Sequence, residues 1–130
     1  MQVVDQVIQT LREIAQTEVM PRFLRVGSTR KSDGTLFTEA DLATQQALAR
    51  RLPDILPYPV LGEEMTPEEQ HALWEANPDG LWVVDPIDGT TNFIHGLPYF
   101  AISVALMRHG RSELGVIYNP VANEMFYARR

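Results

Sequence analysis

The sequence predicts an α+β chain, with layered helices packed on a largely antiparallel sheet. Three observations carry that expectation. Apolar residues at helical spacing open the chain, two helix-start signals follow, and the C-terminal part holds strand-like apolar runs parted by turn clusters.

Val3, Val4, Val7, Ile8, Leu11, Ile14 and Ala15 line one face of a first helix running towards Met20, where Pro21 is expected to bend or end it. Arg25 to Phe37 is polar and carries Gly27 and the turn dipeptide Asp33-Gly34, which predicts a loop or irregular hairpin. Thr38 then reads as the cap of a second helix, forming a capping box with Asp41. Leu48, Leu52 and Ile55 mark that helix's buried side. Thr66-Pro67-Glu68-Glu69 starts a third helix: cap, proline at the first position and Glu three residues after the cap. It ends before the turn cluster Asn77-Pro78-Asp79-Gly80. Trp74 and Trp82 are expected as core or boundary aromatics.

Leu81 to Val84 is a strand candidate, and Phe100 to Met107, Glu113 to Tyr118 and Glu124 to Tyr127 are three more. Arg108 to Arg111 and Asn119 to Asn123 suit the hairpin turns between the last three. No repeat, low-complexity tract or linker interrupts the chain, so residues 1–130 are expected to form a single domain. At 130 residues and 45% hydrophobic, the chain can bury a core of its own.

Charge excludes some partners. Eleven basic and seventeen acidic residues give a net charge of −6, which disfavours nucleic acid and anionic membranes. The absence of cysteine excludes disulfides and thiolate metal sites. The apolar stretch Leu97 to Met107 is interrupted by Pro98, Tyr99 and Ser103 and falls short of the ~20 residues needed to cross a bilayer. No signal-peptide pattern opens the chain, and a cytoplasmic location is expected. His71, His95 and His109 have no spaced partners for zinc, although His95 sits near the loop described next.

The nine residues Asp85 to Phe93, DPIDGTTNF, carry the chemistry. They follow the apolar Leu81-Trp82-Val83-Val84, so Asp85 is expected where a buried strand gives out. Pro86 delays any helix, Asp88 follows three residues after Asp85, and Gly89-Thr90-Thr91 opens a short helical turn. Two carboxylates on one bend can share hard cations, and the amides of Gly89 and Thr90 can meet an anion. Asp-Pro and Asp-Gly are also ordinary turn dipeptides, so the same residues could simply cap a turn. A second acidic element tips the balance: Gly62-Glu63-Glu64 follows Tyr58-Pro59-Val60-Leu61. Neighbouring strands could bring both strand-to-loop junctions to one edge, with Glu63 the preferred ligand and Glu64 the second.

DPIDGTTNF behind Trp82-Val83-Val84, the upstream Gly-Glu-Glu and the Thr38-Glu39-Ala40-Asp41 helix start resemble the inositol monophosphatase family of metal-dependent phosphatases. His95 to Leu106 and Gly115 to Arg130 resemble that family's continuation. The likeness runs through the chain but covers only the N-terminal, metal-binding half of such a protein. It implies that Glu63, Asp85 and the carbonyl of Ile87 bind one Mg2+, and that Asp85 bridges to a second held also by Asp88. Glu63, Thr90 and Asp41 are the implied catalytic residues. Thr90 orients the attacking water and Asp41 is hydrogen-bonded to it, while Gly89 and Thr90 offer amides to the substrate phosphate. The capping explanation of Asp41 is compatible with that role. The lead-in Gly34 to Thr38 departs from the family pattern, so no role is carried to Lys31 or Asp33. The second metal site draws a further Asp from the C-terminal half, and no residue here matches it.

Such chemistry suits these residue types. A phosphate monoester dianion repels a nucleophile, and paired Mg2+ ions, typically ~3.5–4 Å apart, neutralise charge on the attacking and leaving oxygens. Magnesium prefers octahedral oxygen donors, hence Asp and Glu rather than Cys or His. The resemblance therefore implies a magnesium-dependent phosphatase of a small-molecule monophosphate, with inositol monophosphate first, working as a homodimer. Histidinol phosphate, fructose bisphosphate and 3′-phosphoadenosine nucleotides are the related alternatives. The chain alone, short of one carboxylate, is expected to bind magnesium poorly and turn over little. A non-catalytic module that keeps a partial metal site and acts by association stays open.

Overall fold

α1 (Val3–Ile14) turns Val4, Val7, Leu11 and Ile14 inward, as their spacing requires. In the computed structural model, which describes residues 2–26 and 34–130, the helix does not stop near Met20. It passes through a π-helical turn (Ala15–Val19) into α2 (Met20–Val26), with Pro21 inside. In a regular α-helix Pro21 would lack its N–H and press its ring on the Thr17 carbonyl. The wider turn just ahead relieves that conflict. Arg25 and Val26, and Thr35 to Phe37, expected in a loop or irregular hairpin, are helical. Residues 27–33, with Gly27, Lys31 and Asp33, lie outside the described residues.

α3 (Thr35–Ile55) starts three residues before the expected Thr38. Gly34, at φ 83°, precedes it, and the Thr38 hydroxyl donates back to the Gly34 carbonyl at 3.1 Å instead of capping. Asp41 is therefore not part of a capping box and sits within the helix. The physical reason is Phe37, whose ring packs edge-on against Phe93 with centroids 5.7 Å apart. Burying that ring extends the helix past a residue that could have capped it. Leu48 and Leu52 are buried as expected, and Ile55 partly so.

β1 (Val60–Leu61) leads to α4 (Pro67–Ala76), which carries the expected capping box. The Glu69 amide donates to Thr66 Oγ1 at 3.1 Å, and the Thr66 amide donates to Glu69 Oε1 at 3.2 Å. β2 (Leu81–Asp88), α5 (Thr90–Ile94), β3 (Ala101–Arg108), β4 (Arg111–Asn119) and β5 (Glu124–Arg129) follow. The sheet order is β1-β2-β3-β4-β5, with β1 parallel to β2 and the rest an antiparallel meander. The mixed α+β class with a mostly antiparallel sheet stands as the sequence predicts.

One sheet face is covered by the helices. Ile102, Val104 and Leu106 of β3 and Leu114, Val116 and Tyr118 of β4 alternate into it and join the core with α1 and α3. The opposite face is a floor of Ser103, Ala105, Gly115 and Ala128 flanked by Ile117 and Phe126. Trp82 is fully buried and its indole N–H donates to the Leu56 carbonyl at 3.2 Å, whereas Trp74 lies at the surface. No helix of the described residues is long and apolar enough to cross a membrane.

Phe23 of α2, Phe37 of α3, Phe93 of α5 and Phe100 just ahead of β3 meet. Phe93 is wholly buried, with ring centroids 5.4 Å from Phe23, 5.7 Å from Phe37 and 5.1 Å from Phe100. Phe93→Ala is expected to destabilise the chain by about 3–5 kcal/mol. Leu24→Ala, at a residue 71% exposed, should stay within about 0.5 kcal/mol. Urea unfolding of the two variants checks the contrast.

Candidate active site

Asp85 and Asp88 are three residues apart, and in a regular strand they would point to opposite faces. β2 does not stop at Asp85 as expected but continues to Asp88 through a bulge. Asp85 pairs with Ser103 and Asp88 with Ala101, so three steps on β2 match two on β3. Pro86, which has no amide for the ladder, sits inside that irregularity. Pro86 and Ile87 are both buried, which breaks the alternation. Ser103 and Ala101 share one face of β3, so the residues opposite them do too. The bulge thus turns both carboxylates to the same side.

β1 runs parallel to β2, with Leu61 opposite Val83, and delivers Glu63 and Glu64 just beyond its end. The two junctions meet at one edge of the sheet, as the sequence analysis anticipated. Burial, then the Glu63 and Asp88 carboxylates, then Asp41 raise the Asp85 pKa from 3.8 to about 6, and a carboxyl–carboxyl hydrogen bond with Glu63 adds to the rise. Asp41, on α3, is raised from 3.8 to about 6 by burial first, then by Glu64 and Glu63. Glu63 therefore acts most on Asp85, and Glu64 on Asp41. Glu63, Glu64 and Asp88 are exposed, whereas Asp41 and Asp85 are half-buried.

α5 begins at Thr90 behind Gly89, as expected for a short helical turn. Gly89 has φ 109°, and a Cβ there would lie 2.8 Å from the Tyr99 carbonyl and 3.0 Å from Phe100 Cβ, so only glycine fits. The first α5 bond is donated by the Phe93 amide to the Gly89 carbonyl at 3.0 Å, which leaves the Thr90 amide ahead of the helical ladder. Asn92 Nδ2 donates to the Tyr99 carbonyl at 2.7 Å and fastens the following loop. A recess of about 370 Å³ opens beside the loop, lined by Asp88, Gly89, Tyr99, Asn119 and Phe126 among others.

Among the described residues, no three His, Cys, Asp or Glu side chains close into a ready-made metal cage. No hydrogen bond joins Thr90 to Asp41 among them either, and Asp41 Oδ1 is buried without a partner. Three further groups near the carboxylates escaped the sequence reading. Thr44 Oγ1 and Gln45 Oε1 are also buried without partners, and the Gln45 amide packs against Gly62. Both lie one turn beyond Asp41, and that i+3/i+4 spacing was the available signal. Gln70, on α4, is the third: its amide donates to the Gly62 carbonyl at 2.9 Å.

These groups suit a hard divalent cation. The donors are carboxylate oxygens, Asp85 Oδ1 is buried with no partner among the described residues, and the mutual repulsion of Asp85, Glu63 and Asp88 is what a positive ion would relieve. Asp85, Glu63, Asp88 and the Ile87 carbonyl are the candidate ligands.

Comparison with known proteins places the chain in a family. The model of the inositol monophosphatase family matches residues 1–130. A Nus factor SuhB from Pasteurella multocida is 40% identical over 103 residues, 79% of this chain and 37% of the relative. A fructose-1,6-bisphosphatase/inositol-1-monophosphatase from Thermotoga maritima is 37% identical over 123 residues, 93% of this chain and 45% of the relative. The solved structure of a Thermotoga maritima IMPase superposes with a TM-score of 0.75 at 31% identity, covering 100% of this chain and 49% of that one. The chain thus spans less than half the length of these relatives.

The raised carboxyls set a pH dependence for the metal-free chain. Asp41 and Asp85 hold their protons more tightly folded than unfolded, so folding takes up protons between about pH 4 and 6. Their contribution to stability is complete at low pH and is lost as the pH rises through that window. Asp85→Asn is expected to raise the metal-free Tm near about pH 7.5 by roughly 3–5 °C, the effect of about 1 kcal/mol in a domain of this size. The difference should close near about pH 4, and thermal melts across that range check both sign and window.

Proposed function

The chain belongs to the inositol monophosphatase family, and from that premise we propose metal-dependent hydrolysis of a phosphate monoester, with Mg2+ as the cation and inositol monophosphate as the substrate. The observation that carries it is Asp85: half-buried, with one oxygen that has no partner among the described residues, and pressed by the Glu63 and Asp88 carboxylates. Such a group is costly in a structural role and useful as a ligand.

When bound, Mg2+ would neutralise charge on the phosphoryl oxygens and make the attacking water more acidic. Asp85, Glu63 and the Ile87 carbonyl would hold one ion, and Asp85 and Asp88 would contribute to a second. The Thr90 hydroxyl would orient the water, with Asp41 fixing that hydroxyl. The amides of Gly89 and Thr90 would receive the phosphate at the start of α5. The recess lined by Tyr99 and Asn119 would leave room for the leaving alcohol. The family resemblance extends the proposal to a cytoplasmic homodimer.

A second reading is association without catalysis. It is favoured by the relative named Nus factor SuhB rather than as a phosphatase, and by the uncovered apolar sheet floor.

The full-length protein decides between them. Hydrolysis of inositol monophosphate with Mg2+, lost on chelation and lowered by Asp85→Asn more than the roughly 10–100-fold typical of an outer-shell change, is expected. A full-length protein that binds Mg2+ but leaves a panel of monophosphates intact would favour association. For residues 1–130 alone, calorimetry should show weak Mg2+ uptake, and tight saturable binding would overturn the expectation of a site short of a ligand.

A further inference from the structure

The loop Gly62–Thr66 carries Glu63 and Glu64 and is tied at both ends by consecutive residues of α4. At the near end, Gln70 Nε2 donates to the Gly62 carbonyl at 2.9 Å. At the far end, Thr66 and Glu69 exchange the two bonds of the capping box, and the Gln70 amide donates to the Thr66 carbonyl at 2.9 Å. On its other side Gly62 is buried against the Gln45 amide of α3, in the space a Cβ would need. The glutamates themselves are exposed, and no hydrogen bond from either side chain to a basic group holds them among the described residues.

We propose that the first turn of α4 is a staple that positions Glu63 for the cation, with Gln70 and Thr66 as its positioning residues. The inference rests on the metal-site reading above. Once both are ionised, the Glu63 and Asp85 carboxylates repel each other, which would push the loop outward. The backbone bonds at Gly62 and Thr66 oppose that drift without adding a positive charge that would compete with the ion. A loop held in this way gives up little conformational freedom when the ion binds, so affinity depends on the staple.

The experiment is Mn2+ titration of the 130-residue chain, followed by paramagnetic broadening of amide signals, alongside hydrogen exchange at residues 62–66 without metal. Gln70→Leu is expected to weaken Mn2+ binding by about three- to tenfold and speed loop exchange, with little change in Tm. Thr66→Val should weaken binding similarly and Thr66→Ser should restore it, since serine keeps the cap. A purely structural role for Thr66 would lower Tm in Thr66→Val and leave affinity unchanged, which would overturn the staple. Wild-type uptake indifferent to Gln70→Leu would overturn it too. A wild-type chain that broadens no signal near Glu63, Asp85 or Asp88 would overturn the metal reading and the staple together.

Discussion

Parity is the constraint on which the site depends. Asp85 and Asp88 stand at an odd separation on a strand whose side chains alternate with a period of two. A regular ladder would bury one of them among Trp82, Val84 and Ile102, where an unpaired carboxylate is costly. The extra residue at Pro86–Ile87 removes that conflict. Proline favours an interruption in the ladder because it has no amide to contribute. Ile87 then turns its side chain into the core and supplies apolar burial at the bend. The same irregularity that spares the core from a charge brings two charges to one face.

Bringing them together has its own cost, which the surrounding apolar packing offsets. The acidic loop and α5 are held by groups that do not touch the carboxylates: Trp82 beneath β2, and Phe93 among Phe23, Phe37 and Phe100. Each large aromatic buries enough surface to contribute several kcal/mol against the repulsion. Gly89 lets α5 start within van der Waals reach of the Tyr99 carbonyl, so the amides of the loop and the carboxylates of β2 stay adjacent. The electrostatic liability is tolerable because the scaffold is closely packed on the side away from the charges.

The sequence disclosed what depends on local chemistry. The capping box at Thr66, the hairpin turns, the meander and the convergence of Gly62–Glu64 with Asp85–Asp88 all follow from residue types at short spacing. What it hid depends on partners distant in the chain. Thr38 is a competent cap, yet α3 starts earlier because Phe37 finds Phe93, fifty-odd residues away. Pro21 reads as a residue that bends or ends its helix, yet the helix does not end there, and a π turn precedes the proline. Gln70 looks like an ordinary surface residue of a helix until β1 places the Gly62 carbonyl beside it. The bulge at Pro86 was not legible: the proline argues only against an immediate helix, and pairing with β3 is what shows that the strand continues and restores a shared face.

Protons and divalent cations compete for the same oxygens here, and the competition explains why a destabilising cluster can be retained. A proton on Asp85 removes one charge and relieves the repulsion from Glu63 and Asp88, but it leaves a neutral carboxyl that can serve only weakly as a ligand. A cation relieves the repulsion among all three at once and gives Asp85 Oδ1 a contact that no group among the described residues supplies. Below about pH 6 the proton on Asp85 is favoured, and above it Asp85 meets the neighbouring carboxylates as an anion. Binding energy that would otherwise separate these charges is then recovered on ion binding. The affinity of such a site rises with pH through the window in which the metal-free chain loses stability, because both effects have one cause.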